Sequence, residues 1–286
     1  MQTISTALKN AMDAGNPQRI LFVFGDDEFT NEDISMSDGV SLDEDFNTES
    51  ELTIGLTPSS QISFTMMNDN GQLDDFAFGW FDAYIGARID SGEPTETTRT
   101  YTENGKTVTY AFAQIGRFYA EQPDIIDKYA VSVTAKDQMK LFEDTDMPSS
   151  TTLGITYPTT MVAVLQAMCT YLSITLEDST FLNYDLEVAK EPEDFSMATM
   201  RDVLGWIAEA ACSNARFNRN GNLEIAWFTQ TVNVYDEHDY KEFVPVRYEI
   251  AEINGCYFRD TNKTSETSNG ADKTNNYLVQ DNPFLV

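Results

Sequence analysis

The chain has 286 residues, enough for two or three cores of ordinary domain size. Hydrophobic residues make up 41% of it and aromatic residues 12%, which indicates packed globular structure rather than disorder. The 47 acidic and 18 basic residues give a formal net charge of −29, so the surface repels phosphate and anionic lipid, and specific nucleic-acid binding is not expected.

The first part of the chain is predicted to be rich in β-structure. Residues 3–14 form an amphipathic pattern typical of a short helix, and the mostly apolar residues 19–24 that follow predict a strand. The acidic stretch 25–50 is interpreted as a loop, or as an edge strand around residues 34–40.

Short strand signals then recur along the chain, separated by polar residues. A polar loop is predicted at residues 91–106, and two strands bent at Gly79 are predicted within residues 76–89. The other predicted strands are residues 52–56, 61–67, 108–112, 115–119 and 129–135. Such regular spacing is typical of a β-barrel or sandwich.

A helical region follows. Residues 136–142 predict a turn of helix, and residues 143–152 a linker with a boundary near 148. Pro158 is expected at the first position of a helix over residues 159–172. The apolar face of that helix is more typical of a core than of a cofactor site, and it comprises Val162, Leu165, Met168, Cys169 and Leu172.

Residues 199–228 predict a helix that leads directly into a hairpin. Ser196 and Thr199 are both candidate N-caps. The apolar positions of the helix fall on one face, and they are Val203, Leu204, Ile207, Ala208 and Ala211. Beyond Asn214 the apolar period changes to two, around a turn at residues 218–221 that ends in Asn-Gly. Additional strands are predicted within residues 244–258.

Aromatic residues between 76 and 84 exceed the alternation of a strand with one buried face. The excess indicates either a core on both faces of a sheet or a contact between subunits. The candidate interface residues are Phe78, Trp80, Phe81 and Tyr84.

No catalytic, metal or cofactor site is expected. His238 is the single histidine, and no nucleophile motif accompanies it, so a solvated loop histidine is favoured over a Ser-His-Asp triad. Residues 69–71 beside Asp74 and Asp75 lack the spacing of a calcium loop and favour a hairpin turn.

The cysteines and the termini bear on the compartment. Cys169, Cys212 and Cys256 are odd in number and far apart, which favours neither a disulfide scaffold nor a zinc site. Cys169 and Cys212 are expected to be small core residues in a protein folded in a reducing cytosol. Neither a signal peptide nor a membrane-spanning stretch is predicted, so we expect a soluble chain without membrane insertion.

The helix-to-hairpin segment resembles one found in tail hub proteins of bacteriophages and prophages. There, a string close to T-x-R-E-x-L-G-x-I-A-E-A-x-G leads into A-R-F-x-R-x-G-K-L-E. The matching residues are Thr199, Arg201, Leu204, Gly205, Ile207, Ala208, Glu209, Ala210, Ala215, Arg216, Phe217, Arg219, Gly221, Leu223 and Glu224. Residues 62–89, 131–142 and 277–285 look like the same family in the same order.

The resemblance implies a β-rich α+β fold with a tail-tube-like antiparallel β-barrel, an inserted helix-plus-hairpin module and the start of a second β-barrel. The expected domains are residues 1–148 for the tube-like barrel with its N-terminal helix, 149–240 for the module, and 241–286 for strands of the second β domain. The family's Asn-Pro-Leu-type string normally lies inside the second barrel, so we expect this chain to be a fragment of a longer product.

The implied function is that of a structural virion protein. The resemblance implies a homotrimeric hub ring at the tail tip or baseplate, assembled in the bacterial cytoplasm. The hub joins the tail tube or distal tail ring to a tip or spike protein, and DNA passes its acidic channel without specific binding. Acidity also has a simpler interpretation, solubility, which composition leaves open. A tail-associated peptidoglycan hydrolase or endopeptidase is the enzymatic alternative, and a bacterial adhesin is a third.

Overall fold

The computed structural model describes residues 4–35, 37, 39–44, 53–123, 127–192, 195–227, 255–259, 266–268, 276–280 and 282–285. The chain divides into two compact units, each built from separate stretches of sequence. The first comprises residues 1–45, 58–144 and 217–223, and the second residues 46–57, 145–216 and 224–286. The domain bounds expected from the sequence stay a prediction.

The first unit is mostly β-sheet. Its helices are α1 (Thr6–Asp13) and α2 (Met139–Glu143). Its strands are β1 (Gln18–Phe24), β2 (Asp27–Thr30), β3 (Val40–Asp43), β4 (Gln61–Met67), β5 (Trp80–Ile89), β6 (Thr97–Glu103), β7 (Lys106–Ala120) and β8 (Ala130–Asp137). These eight strands form one antiparallel sheet in the order β2-β1-β5-β7-β8-β4-β3, with β6 also paired to β7. The β-rich α+β class is therefore confirmed.

The sheet curls so strongly that distant strands share one core. Three strands separate β1 from β4 in the sheet order, yet the ring centroids of Phe22 and Phe64 lie 4.3 Å apart. An isolated bridge, Ile34 to Met66, links the segment after β2 to β4. Within the described residues, however, β2 and β3 remain the two ends of the strand order, so the expected closed barrel is not confirmed.

The core inside this curl receives alternate residues from five strands. Neighbouring side chains on a strand point to opposite faces, so each strand sends every second residue inward. The buried members are Phe22, Phe24, Ile34, Ile62, Phe64, Met66, Leu73, Phe81, Ala83, Phe118, Ala120, Val131, Val133 and Ala135. Aromatic rings supply much of the buried area, which stabilises the unit chiefly through the hydrophobic effect.

A second core lies on the opposite face of the sheet. Leu21 points to this face because its neighbour Phe22 points to the first core. Its side chain packs with Tyr110 and Phe112. The outer strands β2 and β6 meet across it, where the Arg99 guanidinium lies 2.8 Å from the Glu28 carboxylate. The sheet is thus packed on both faces, which accounts for the aromatic excess in β5.

Helix α1 packs against the same sheet through Leu8 and Ala11. The Ser5 hydroxyl caps its N-terminus by accepting a hydrogen bond from the Leu8 amide at 3.2 Å. Ser5 in turn donates its own hydroxyl to the Glu96 carboxylate at 2.6 Å. The capped first turn therefore fixes where the helix meets the sheet.

The second unit is a mixture of short elements. Its helices are α3 (Ser150–Leu153), α4 (Met161–Tyr171) and α5 (Met200–Ala210). The strands outside the first unit's sheet are β9 (Thr159–Thr160), β10 (Glu187–Val188), β11 (Asn214–Phe217), β12 (Leu223–Ala226), β13 (Gly255–Arg259), β14 (Glu266–Ser268) and β15 (Asn276–Gln280). They pair as β9 with β10, as the hairpin β11–β12, and as a three-stranded sheet in the order β14-β13-β15. Residues 217–223 of the hairpin belong to the first unit.

Several predicted elements differ from the observed ones in the first unit. Residues 76–79 are not a strand, and β5 begins at Trp80. The predicted loop at 91–106 contains β6, and the two strands predicted between 108 and 119 are one continuous strand, β7. Residues 69–71 form a 3-10 turn rather than a hairpin turn, because β4 and β5 are not neighbours in the sheet.

The second unit brings further differences. Of the strand predicted at residues 52–56, the described part, 53–56, is assigned to no strand. Pro158 precedes β9, and α4 begins three residues later at Met161, where the Thr160 hydroxyl provides the cap. Pro158 is therefore not the first residue of the helix. The predicted strands at residues 244–254 lie outside the described residues. Over the stretches that are described, the structure holds no helix long and apolar enough to cross a membrane.

Candidate functional site

Helix α5 contains the first part of the segment that resembles tail hub proteins. Its N-terminus is defined by two reciprocal capping hydrogen bonds. The Thr199 hydroxyl accepts from the Asp202 amide at 3.2 Å, and the Asp202 carboxylate accepts from the Thr199 amide at 2.8 Å. This capping box satisfies two of the free amides that every helix leaves at its N-terminus. Thr199 is therefore the N-cap, and the alternative candidate Ser196 lies in a preceding 3-10 turn.

The apolar face of α5 is fully buried, as its periodicity predicts. The buried helix residues are Met200, Val203, Leu204, Ile207, Ala208 and Ala210. Complete burial of the larger members, such as Val203, Leu204 and Ile207, contributes about 1.5–3 kcal/mol each to the free energy of unfolding. This face therefore fixes the helix in the second unit and leaves the opposite side for other contacts.

That opposite side presents Arg201, Gly205 and Glu209, spaced four residues apart and so aligned along the helix. Gly205 allows the close approach of residue 55, since a Cβ at position 205 would lie 3.3 Å from the Gly55 carbonyl oxygen. Gly55 itself has a φ of +80°, and a Cβ there would lie 2.9 Å from the Cβ of Glu209. Glycine is thus required at position 55, and at position 205 a larger residue would make a tight contact.

Residues 55–57 are held to α5 and to the strand that follows it. Arg201 donates from Nη2 to the Thr57 carbonyl at 2.7 Å and from Nε to the Thr57 hydroxyl at 3.1 Å. The Gly55 amide donates to the Ser213 carbonyl at 2.8 Å, and the Ala215 amide donates to the Leu56 carbonyl at 2.9 Å. The segment therefore lies beside β11 like an added strand.

The string near residue 282 docks on the same helix. The Asn282 side-chain amide donates to the Trp206 carbonyl and to the Glu209 carboxylate, both at 2.9 Å. Its Oδ1 accepts from the Phe284 amide at 3.0 Å, and the Phe284 ring lies 6.3 Å from the Trp206 ring, centroid to centroid. Asn282 and Phe284 are both buried. Two separate parts of the family resemblance, 199–224 and 277–285, therefore meet at α5.

A cleft of about 470 Å³ lies along this side of α5. It is lined by Ile54, Gly55, Thr57, Arg201, Asp202, Gly205, Trp206 and Glu209. Burial raises the pKa of the Glu209 carboxyl above its ordinary value, although the hydrogen bond from Asn282 acts in the opposite direction. Most polar groups of the cleft are engaged by neighbouring protein atoms, which is typical of a packing junction rather than of a reaction site.

The hairpin half of the matching string also makes defined contacts, within the first unit. Gly221 has a φ of +77°, as the Asn-Gly signal predicts, and its carbonyl accepts from the Gln138 side-chain amide. Arg219 donates to the Ile115 carbonyl at 2.8 Å and pairs with Glu44. Ile115 lies at a bulge of β7, between the segments that pair with β6 and with β8. Arg219 therefore satisfies a carbonyl in the gap between the β6 and β8 pairings of β7.

The four candidate interface residues lie at different depths. Phe81 is only 2% exposed and belongs to the first core, against which the partly buried Phe78 packs. Trp80 is partly buried, with its ring 5.1 Å from that of Tyr119, and Tyr84 packs against the second core. Their role in a subunit interface stays a prediction.

Within the described part of the chain, no group of three or more His, Cys, Asp or Glu side chains is arranged to hold a metal ion. His238 lies outside the described residues. Cys169 is buried in α4 with a free thiol, as expected. Cys212 is buried but disulfide-bonded, which the odd number and wide spacing of the cysteines did not indicate.

The sequence predicts helix α5 but does not predict which segments contact it. The spacing of Arg201, Gly205 and Glu209 indicates a second helix face, whereas nothing in residues 55–57 signals their position beside it. Asn282 was included in the resemblance without an assigned contact.

Comparison with known proteins finds distant structural similarity only. No protein-family model matches the chain. No curated protein matches it either. Among solved structures, the chain is similar to the 43 kDa tail protein of prophage MuSo2 from Shewanella oneidensis, with a TM-score of 0.48 and 11% sequence identity over 93% of this chain and 72% of that one.

Proposed function

We propose that this protein is a structural component of a phage or phage-like tail, and that it forms the hub ring between tail tube and tip. The proposal rests on the resemblance of residues 199–224 to tail hub proteins. One observation carries it: the matching residues Arg201, Gly205, Glu209, Arg219 and Gly221 each make a specific contact in the folded chain. The resemblance therefore includes residues that make structural contacts in this chain.

The docking of residues 282–285 on α5 supports the same proposal. The family resemblance links the helix string with a later Asn-Pro string, and in this chain Asn282 and Phe284 contact Trp206 and Glu209.

Shape and charge are consistent with a ring around a conduit. The first unit holds a strongly curled antiparallel sheet, and the chain carries a net charge of −29. In the proposed assembly, three copies close a ring by rotational symmetry, and the acidic channel wall repels the DNA backbone. Tube or distal tail proteins bind one side of the ring and a tip or spike protein the other.

Particle mass measurement tests the assembly. Light scattering after size exclusion is expected to give three times the chain mass of 32.2 kDa, with the tail-tube protein of the same particle shifting the ring to a heavier complex. A variant with Trp80→Ala and Tyr84→Ala tests the candidate interface, with Tyr171→Ala, which changes an exposed aromatic residue of α4, as its control. A chain that stays monomeric and binds neither tube nor tip proteins would overturn the proposal.

We further propose that the role is not enzymatic. The residues that resemble the hub family serve contacts within the protein, and the enzymatic alternative has no motif in the sequence to support it. Purified protein incubated with peptidoglycan is expected to release no soluble fragments, with a muramidase as positive control. Release of fragments by the purified protein would favour the hydrolase alternative.

A further inference from the structure

The turn between β6 and β7 has an unusual combination of sequence and exposure. Glu103 and Lys106 are paired, which leaves a two-residue turn made of Asn104 and Gly105. Their φ angles are +50° and +74°, and positive values at both central residues are typical of a tight type I′ hairpin turn. Both residues are exposed, at the tip of a hairpin.

The groups that could react here have no hydrogen-bond partner in the described part of the molecule. The Gly105 amide has no backbone acceptor among the described residues, and the Asn104 side chain has no hydrogen-bond partner among them. A Cβ placed on Gly105 would have no atom within 4 Å, so the space around the turn is open. Exposed hairpin tips also open at low free-energy cost.

In a second described Asn-Gly pair, Asn220-Gly221, the corresponding glycine amide is bonded. The Gly221 amide donates to the Asn218 carbonyl at 2.9 Å, and the Gly221 carbonyl accepts from Gln138. Arg219 beside it is bonded to Ile115 and paired with Glu44. At Gly71, in the pair at residues 70–71, the amide donates to the Asn68 carbonyl at 3.2 Å.

We infer that Asn104 is a self-modification site, at which the protein's own backbone deamidates the side chain. The Gly105 amide nitrogen, after losing its proton to solvent base, attacks Cγ of Asn104. A new C–N bond closes a succinimide ring, and the side-chain nitrogen leaves as ammonia. Water then opens the ring at one of its two carbonyls, giving aspartate or isoaspartate, with no change in oxidation state.

The two products affect the hairpin differently. Aspartate keeps the backbone length and is accepted in a type I′ turn before glycine. Isoaspartate inserts a methylene into the backbone, which is incompatible with the Glu103 to Lys106 pairing across a two-residue turn. Either product adds one negative charge next to Glu103.

Peptide mass spectrometry after incubation at pH 8.5 and 37 °C tests the inference. Deamidation at Asn104 is expected to proceed about tenfold faster than at Asn220, because the turn at Asn220 must also break the hydrogen bonds of Gly221. Incubation at pH 5 is expected to suppress it, since the attacking nitrogen must lose a proton. Equal or faster deamidation at Asn220, or none at Asn104 when the denatured chain deamidates there, would overturn the inference.

An Arg219→Ala variant provides the matched control. Removal of its contacts with Ile115 and Glu44 is expected to raise the rate at Asn220 several-fold while leaving the rate at Asn104 unchanged. Circular dichroism confirms that the variant is folded during incubation. An unchanged deamidation rate at Asn220 in the folded variant would show that the contacts of Arg219 do not protect Asn220. That result would contradict the inference that contacts slow deamidation.

Discussion

Gly86 shows how one residue can determine the distance between strands. It lies in β5 opposite Phe112 of β7. A Cβ on Gly86 would lie 2.4 Å from the Ala111 carbonyl oxygen and 2.6 Å from Cδ1 of Phe112. Since protein interiors are close-packed, neither the backbone carbonyl nor the buried ring can move away without cost.

Replacement of this glycine is therefore expected to destabilise the first unit. Gly86→Ala should lower the free energy of unfolding by about 1–3 kcal/mol, the usual cost of overpacking a core. Gly79→Ala is the matched control, because a Cβ there meets no atom within 4 Å. Urea denaturation followed by circular dichroism measures both, and equal stability of the two variants would contradict the close-approach argument.

The Cys169 thiol should be unreactive in the folded protein. The side chain is 3% exposed, and burial raises its pKa to about 12. The reactive thiolate is therefore scarce at neutral pH, and reagents cannot reach it. Iodoacetamide at pH 8 is expected to leave Cys169 unlabelled in native buffer and to label it fully in guanidinium chloride, as read by peptide mass spectrometry. Native labelling at a comparable rate would show that α4 opens readily.

Among the elements, α5 offers a direct test of its cap. Thr199→Ala removes the hydroxyl of the capping box and is expected to cost about 1 kcal/mol of stability. Ser196→Ala is the natural control, because the sequence offers Ser196 as an equal candidate and the structure leaves it exposed in the preceding 3-10 turn. Chemical denaturation of both variants gives the comparison. A larger loss for Ser196→Ala would mean that α5 begins earlier than described.

Helices and strands with a periodic apolar pattern could be predicted from the sequence. Strands with polar, exposed side chains could not. The apolar face of α5, its turn to the hairpin and the strands β1, β4 and β8 follow from alternation or helical spacing. Strand β6 was missed because its Thr-rich residues are polar and mostly exposed, so its pairing with β7 leaves no apolar pattern. The bulge in β7 made one strand look like two.

The site was predictable only in part, for a related reason. Helical spacing reveals that Arg201, Gly205 and Glu209 share a side, but a periodic pattern carries no information about a partner segment distant in sequence. Thr57 is 144 residues from Arg201, and Asn282 is 73 residues from Glu209. Such contacts are decided by tertiary packing, which local patterns do not encode.

At the scale of the whole molecule, charge is the dominant feature. A net charge of −29 at neutral pH makes the folded chain repel itself, while the unfolded chain spreads the same charges further apart. Salt shortens the range of this repulsion, with a screening length that falls from about 30 Å at 0.01 M to about 8 Å at 0.15 M. Added salt should therefore stabilise the fold.

The melting temperature is expected to rise as sodium chloride increases from 10 to 150 mM. Relief of about 1 kcal/mol of repulsion would raise Tm by roughly 2–4 °C for a chain of this size class. Differential scanning calorimetry measures the shift, and glycerol at equal osmolality controls for effects other than screening. A Tm that falls with salt would indicate that attractive ion pairs such as Arg99–Glu28 outweigh the net repulsion.

The discontinuous make-up of the first unit has a consequence for synthesis. Residues 217–223 belong to it, although 72 residues of the second unit, 145–216, intervene in the sequence. A ribosome adds roughly 5–20 residues per second, so β1 to β8 leave it several seconds before Arg219 can reach the Ile115 carbonyl. Until then the Ile115 carbonyl of β7 lacks its Arg219 donor. The order of translation therefore prevents the first unit from being finished before most of the second has been made.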